Sequence, residues 1–243
     1  MPKHDKKAKL ILIGNQKGGI GKSITTMLLA TALGSDYKKN VLIIECDAQR
    51  SISKIRSYEK NSFPDAHPPC DIIYVQISKL DSTVEENQYN YDLIFIDMPR
   101  ITADLDNDEN GDKQQEEVLS LIMLAEIILI PLTAFEIDLH SSEDFFELLE
   151  ILKEYKIANK LPITIYAFQN RAKGTKEDTL LRAWAGEHNI AMFDTVIKDS
   201  IHIQRAVSTF IPITSSPINP SNKTVINNYK EFIKEFIVKL NIK

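Results

Sequence analysis

Short, nearly continuous apolar runs punctuate the chain at Leu10–Ile13, Val41–Ile44, Ile72–Ile77, Leu93–Ile96, Ile127–Ile130 and Ile163–Phe168. Continuous rather than alternating apolar strands indicate a sheet covered on both faces. Helical spacing fills the intervals. Ser23–Leu33 has apolar residues at helical spacing and meets Gly34, a stop signal. Val118–Ala125, Ser141–Tyr155 and Thr179–His188 separate the later runs. Near the C-terminus, within residues 222–241, Tyr229, Phe232, Ile233, Phe236, Ile237 and Leu240 fall on one helical face, with Lys230, Lys234 and Lys239 elsewhere. Strands alternating with helices predict an α/β, doubly wound, mostly parallel sheet with helices on both faces. No repeat or domain boundary interrupts residues 1–243, so a single domain is expected.

Composition leaves this picture standing. The chain is 43 % apolar and 26 % charged, as a globular protein is. No run approaches the roughly 20 apolar residues that span a bilayer. Met1–Lys9 is polar and basic with no apolar segment behind it, so no signal peptide is expected. Cys46 and Cys70 match no metal-ligand spacing and read as reduced thiols of a cytoplasmic protein. The net charge of -5 argues weakly against a dedicated nucleic-acid binder. However, Ile101–Glu117 holds Asp104, Asp106, Asp108, Glu109, Asp112, Glu116 and Glu117 against Lys113 alone. Without that segment the remainder is slightly basic, which leaves room for a basic face. Residues 101–117 read as an exposed acidic surface insertion, and Ser215–Asn222, with Pro217 and Pro220, as a second irregular segment.

The chemistry concentrates in Gln16-Lys17-Gly18-Gly19-Ile20-Gly21-Lys22-Ser23, which lies between the first strand and the first helix. That is the context a phosphate-binding loop requires. Glycines let the backbone wrap phosphate oxygens with inward N–H groups, and the helix N-terminus adds its dipole. Lys22 supplies positive charge to the β and γ phosphates, and Ser23 offers a hydroxyl to Mg²⁺. The common G-x-x-x-x-G-K-[ST] pattern fails at its first glycine, where Gln16 stands; a second lysine, Lys17, opens the loop instead.

Further segments follow in order: Glu45-Cys46-Asp47-Ala48-Gln49-Arg50-Ser51, Tyr91-Asp92-Leu93-Ile94-Phe95-Ile96-Asp97-Met98-Pro99 and Glu126-Ile127-Ile128-Leu129-Ile130-Pro131. With the loop, they resemble the ParA/MinD group of deviant Walker-A P-loop ATPases, from about Lys9 to Ile213, and most of all the small plasmid-partition proteins. The resemblance implies a P-loop NTPase fold, ATP and Mg²⁺ as ligands, and slow hydrolysis. It implies that Lys17, Gly18, Gly19, Ile20, Gly21, Lys22, Ser23 and Ile24 bind phosphates, and that Lys17 reaches the partner's phosphates in an ATP-bound homodimer. Asp47 would handle the attacking water, Ser23 and Asp97 the metal, and Asn170, in Phe168-Gln169-Asn170-Arg171, the adenine. Lys17, Lys22 and Asp47 are then the catalytic set. Several positions depart from the group's pattern. Glu45 stands for Asp, Ala48 for Pro, Arg50 for Gly, Ile24 for a second hydroxyl residue and Arg100 for a second proline.

Three functions stay open on the sequence. In DNA partition, the ATP dimer binds DNA without sequence preference, associates with the nucleoid, and is reset by a centromere-binding ParB-type adaptor. Lys173, Lys176, Lys198, Arg205 and Lys223 are candidate phosphate contacts, Arg205 foremost, against the plainer reading of a solvated charged surface. A MinD-like ATPase would use the C-terminal helix on a membrane, which competes with that helix packing on the sheet; packing is the expectation, and no membrane partner. A small-molecule synthase on the same fold is the third. Trp184 reads as core, and His140, near a strand's carboxyl end, as structural.

Overall fold

The computed structural model describes residues 6–99, 109–134 and 139–242. Its strands are β1 (Lys9–Ile13), β2 (Val41–Glu45), β3 (Asp71–Tyr74), β4 (Leu93–Asp97), β5 (Ile127–Leu132) and β6 (Thr164–Gln169). They form one six-stranded sheet in the order β3-β2-β4-β1-β5-β6, and every pair is parallel. The helices are α1 (Lys22–Asp36), α2 (Ser51–Ser62), α3 (Leu80–Asn87), α4 (Glu109–Leu124), α5 (Leu139–Ala158), α6 (Lys176–Glu187), α7 (Ile201–Ala206) and α8 (Lys223–Lys239). The sheet is the doubly wound, parallel arrangement that the alternating pattern predicts, and it fits the P-loop NTPase fold that the resemblance implies.

Strand side chains alternate between two cores. Ile11, Ile13, Ile43, Phe95, Leu129 and Phe168 pack with α1, α2, α7 and α8. Leu12, Leu42, Ile44, Ile94, Ile96, Ile128 and Ile130 pack with α3, α4, α5 and α6. Coverage on both faces explains why the strands are apolar throughout. Central β1 lies between β4 and β5, and the chain runs to one side and then to the other from it. That reversal opens a crevice at the strands' carboxyl ends, where ligands bind in such sheets.

Several boundaries differ from the sequence expectation. Gly34 does not end α1, which runs on to Asp36. A Cβ on Gly34 would lie 1.8 Å from the Pro69 carbonyl oxygen, so the glycine serves close packing instead. β3 stops at Tyr74, and Ile77 opens a 3-10 turn, Ile77–Lys79. The acidic stretch is helical from Glu109 onward, as the first turns of α4; residues 101–108 lie outside the described set. α2, α3 and α7 carry too few apolar positions to announce themselves, since α2 buries only Ile52, Arg56 and Glu59.

α8 packs its apolar stripe on the same face of the sheet as α1. Ile226, Tyr229, Phe232, Ile233 and Phe236 are buried. Phe236 stacks on Phe95 at 6.3 Å, and Phe232 meets Phe168 at 5.2 Å. Each such side chain contributes about 1.5–3 kcal/mol by burial. Lys9 Nζ donates to the Leu240 and Asn241 carbonyls at 2.7 and 2.9 Å, placing a cation where the helix dipole is negative. The stripe a membrane would need is thus spent on the core.

Candidate nucleotide site

The glycine loop leaves β1 and enters α1 with two residues in the left-handed region, Gly19 at φ 82° and Gly21 at φ 93°. Both conformations favour glycine. Gly21 is the N-cap of α1, and no side chain caps that terminus. The first helical N–H groups are therefore available to an anion. Asn15, which the motif reading passed over, shapes the loop's base. Its Nδ2 donates to Pro131 O at 3.0 Å, and its Oδ1 accepts from Lys17 N at 3.0 Å. Lys22 folds back over the loop and donates Nζ to Asn15 O at 3.0 Å and Lys17 O at 2.9 Å. The Lys17 side chain stays half-buried at the loop's edge.

Asp97, the last residue of β4, is fully buried. Its Oδ2 accepts from Ser23 Oγ at 2.7 Å, while Oδ1 has no partner among the described residues. Burial pushes its carboxyl up to about 7, with Glu45 and Asp47 adding to the rise and Ser23 and Lys22 opposing it. A buried carboxylate oxygen without a partner, beside a hydroxyl, is a hard-oxygen donor set that suits Mg²⁺. The residues present fit that ion.

β2 delivers the third component. Glu45 is fully buried, and its Oε1 accepts from Ile52 N at 2.7 Å and its Oε2 from Ser53 N at 3.1 Å. It caps α2 from inside the sheet, because the N-cap residue itself, Arg50, makes no side-chain cap. Arg50 sits at φ 51°, which explains why glycine suits this position. Its guanidinium lies 3.9 Å from the Tyr74 ring centroid. Between these anchors Asp47 accepts from Gln49 N at 2.8 Å through Oδ1. Burial, with Asp97, Glu45 and Glu117, pushes the intervening Cys46 thiol up to about 12, so it stays protonated and unreactive.

Of the expected site residues, Gly19, Gly21, Lys22, Ser23, Ile24 and Asp47 line one open pocket of about 260 Å³, whereas Lys17, Asp97 and Asn170 stand behind or beside that lining. Gly19, Gly21, Lys22, Ser23, Asp47 and Arg171 form its polar wall, and Ile24, Met27, Ile55 and Met98 its apolar one. Arg171 was not foreseen as a site residue; it follows Asn170 at φ 53°, and a basic residue beside a candidate site residue was the available signal. Asn170 is buried against the loop itself. Its Nδ2 donates to Ile20 O at 2.7 Å, and its Oδ1 accepts from Arg171 N at 3.0 Å.

The basic candidates are spread more widely. Lys173 pairs with Asp199 at 3.7 Å, and Ala172 bridges to Lys198, so Lys173 and Lys198 adjoin. Lys176 begins α6, and Arg205 is exposed in α7, shortly after Lys198. Lys223 is exposed at the start of α8, and among the described residues no ion pair or hydrogen bond joins it to the others.

A glycine loop, an uncapped helix start and a serine bonded to a buried aspartate at the switch of a parallel sheet define a nucleotide-binding domain. The chain belongs to the family described as the CobQ/CobB/MinD/ParA nucleotide binding domain, whose model matches residues 11–213. Among solved structures it is similar to a Borrelia burgdorferi B31 protein described as a plasmid partition protein and bound to AMPPNP. The two are 20 % identical with a TM-score of 0.66, over 96 % of this chain and 100 % of that one. It is similar to an ATP complex of Cyanothece McdA, at 16 % identity and TM-score 0.67 over 98 % of each chain. It is also similar to cobyrinic acid a,c-diamide synthase of Mycobacterium smegmatis with ADP and magnesium, at 14 % identity and TM-score 0.65 over 93 % of each. Two uncharacterized Mycobacterium tuberculosis proteins share 46 % identity over 46 residues, 19 % of this chain and only 14 % of their own length.

Proposed function

We propose that this chain is a Mg²⁺-dependent ATP hydrolase of DNA partition, with Lys17 to Ile24 as its phosphate loop. The carrying observation is that Lys22, folded over one glycine loop that Lys17 opens, stands beside the Ser23–Asp97 pair. Lys22 Nζ, held on the loop carbonyls of Asn15 and Lys17, would exchange those oxygens for phosphate oxygens. Ser23 and Asp97 would hold Mg²⁺, which supplies charge neutralisation at the phosphates when bound. Asp47, with Oδ1 anchored on Gln49 N, would orient the attacking water through its other oxygen. Lys17 would cross to the phosphates of a second copy, in the manner of an arginine finger.

The ATP-bound homodimer would bind DNA without sequence preference, on the nucleoid, and be reset by a centromere-binding ParB-type adaptor. Lys173, Lys198 and Arg205, with Lys176 near them in the chain, are the leading DNA contacts. Likeness to a plasmid partition protein and to McdA, both in nucleotide complexes, supports this reading. The test is fluorescence anisotropy with random-sequence duplex DNA. Binding with ATP but not ADP, falling steeply between two stated salt concentrations, is expected. Absence of binding by protein shown to hold ATP would reject partition.

A second reading is a small-molecule synthase. The apolar wall of Ile24, Met27, Ile55 and Met98 beside the phosphate loop favours it, as does the likeness to cobyrinic acid a,c-diamide synthase. ATP turnover stimulated by a carboxylic-acid substrate, without DNA binding, would support it.

A further inference from the structure

α5 and α6 enclose a second groove, of about 300 Å³, that shares no residue with the phosphate pocket. Phe146, Glu147, Glu150, Trp184, His188 and Ile190 line it. Its walls are aromatic. Phe146 meets Trp184 edge-on at 5.8 Å, and the Trp184 and His188 ring centroids are 4.7 Å apart. Its rim is acidic, since Glu147 and Glu150 are three apart and so share one face of α5. Glu150 is engaged by Lys153 at 2.9 Å, but both are exposed, and such pairs are weak and exchangeable. Trp184 is only 9 % exposed, yet its indole N–H has no acceptor among the described residues. Apolar side chains flank the groove at Leu180, four residues before Trp184 and 60 % exposed, and at Ile151, four after Glu147 and 65 % exposed.

We propose that this groove binds an arginine side chain presented by a peptide segment of a partner protein. A guanidinium stacks on aromatic faces while pairing with carboxylates, and this groove supplies both. An anionic ligand, including nucleic acid, meets two like charges here. A purely apolar ligand would strip water from those carboxylates without compensation. Apolar residues beside the arginine cover Leu180 and Ile151.

Trp184 is the only tryptophan in the chain, so its emission reports on the groove. The probe is an acetylated, amidated hexapeptide with two arginines between leucines, titrated into the full chain with and without ATP. Calorimetry on the same samples registers any binding that leaves the emission unchanged. Saturable binding is expected. It should weaken about 10-fold or more in the Glu147→Gln/Glu150→Gln variant, whose thermal midpoint is measured alongside to show that it folds. Arginine amide alone should bind far more weakly than the peptide. The proposal is overturned if neither method registers binding or if the double variant binds unchanged. It is equally overturned if a glutamine-for-arginine peptide binds as well, or if arginine amide matches the peptide.

Discussion

Ser23 Oγ donates to Asp97 Oδ2 across 2.7 Å, and this contact leaves the other oxygen of a fully buried carboxylate without a partner. The folded protein thus bears a cost for ionising Asp97. Because the folded value, about 7, lies above the unfolded one near 3.8, the folded state holds the proton more tightly. The cost is absent below about pH 4, grows as pH rises, and is complete above about 7. Asp97→Asn should therefore stabilise the nucleotide-free protein in EDTA at pH 8, by about 1–4 kcal/mol, and hardly at all at pH 4. The same variant should lose Mg²⁺-dependent turnover. Urea unfolding at both pH values checks the first statement; equal effects at the two would reject the buried-charge account.

Lys22 and Lys17 share the loop but should separate in their variants. Lys22→Ala removes the cation folded over the loop and should abolish binding of a fluorescent ATP analogue. Lys17→Ala should bind the analogue within about threefold of the parent, because that side chain lies at the loop's edge. It should fail to dimerise with ATP in sedimentation velocity. A Lys17→Ala protein that dimerises would remove the cross-dimer role.

Asp47→Ala should retain ATP binding and slow turnover by about 10²-fold or more, the scale of a lost proton-handling group. The ATP dimer should then accumulate. Its carboxylate holds the loop only through Gln49 N, and Glu45 on α2 and Arg50 on Tyr74 keep the segment in place without it. Normal phosphate release by this variant would transfer the water-handling role elsewhere.

The sheet was legible because burial on both faces forces continuous apolar strands, and the phosphate loop because few residue types satisfy its geometry. The short helices α2 and α3 were hidden for the opposite reason. Most of their residues face water, so no apolar stripe marks them. Gly34 shows a second limit. A glycine in a helical pattern reads as a stop, whereas here it admits the Pro69 backbone, a partner the local sequence does not name. Glu45 reads as a charge-conserving stand-in for the group's aspartate, and only the fold shows both its oxygens spent on α2. The direction of Asn170 was likewise invisible, since it depends on a loop 150 residues away.

Gly34→Ala tests the packing account directly. Helix propensity alone favours alanine by up to about 1 kcal/mol. The new Cβ would meet backbone at 1.8 Å, which no rotamer change relieves, so α1 or the Pro69 segment must move. A net loss of about 1–3 kcal/mol is expected from urea midpoints, the usual cost of overpacking. A stabilised variant would show that the contact is loose.

Asn170 and Gly21 form the last testable pair. A Cβ on Gly21 would lie 2.5 Å from Asn170 Nδ2, and the residue already sits at φ 93°. The carboxamide cannot swing away cheaply, because Nδ2 is bonded to Ile20 O and Oδ1 to Arg171 N. Asn170 thereby pins the loop at the Ile20 carbonyl. If pinning is its main work, Asn170→Ala should weaken ATP and GTP equally, by about 10-fold, since the lost bond leaves a loop carbonyl unpaired at a cost of about 1–3 kcal/mol. If it reads the adenine, as the family resemblance implies, the loss should fall on ATP alone. Competition of both nucleotides against one fluorescent analogue separates the two. The geometry favours equal loss, because the donor an adenine would need is already committed to Ile20.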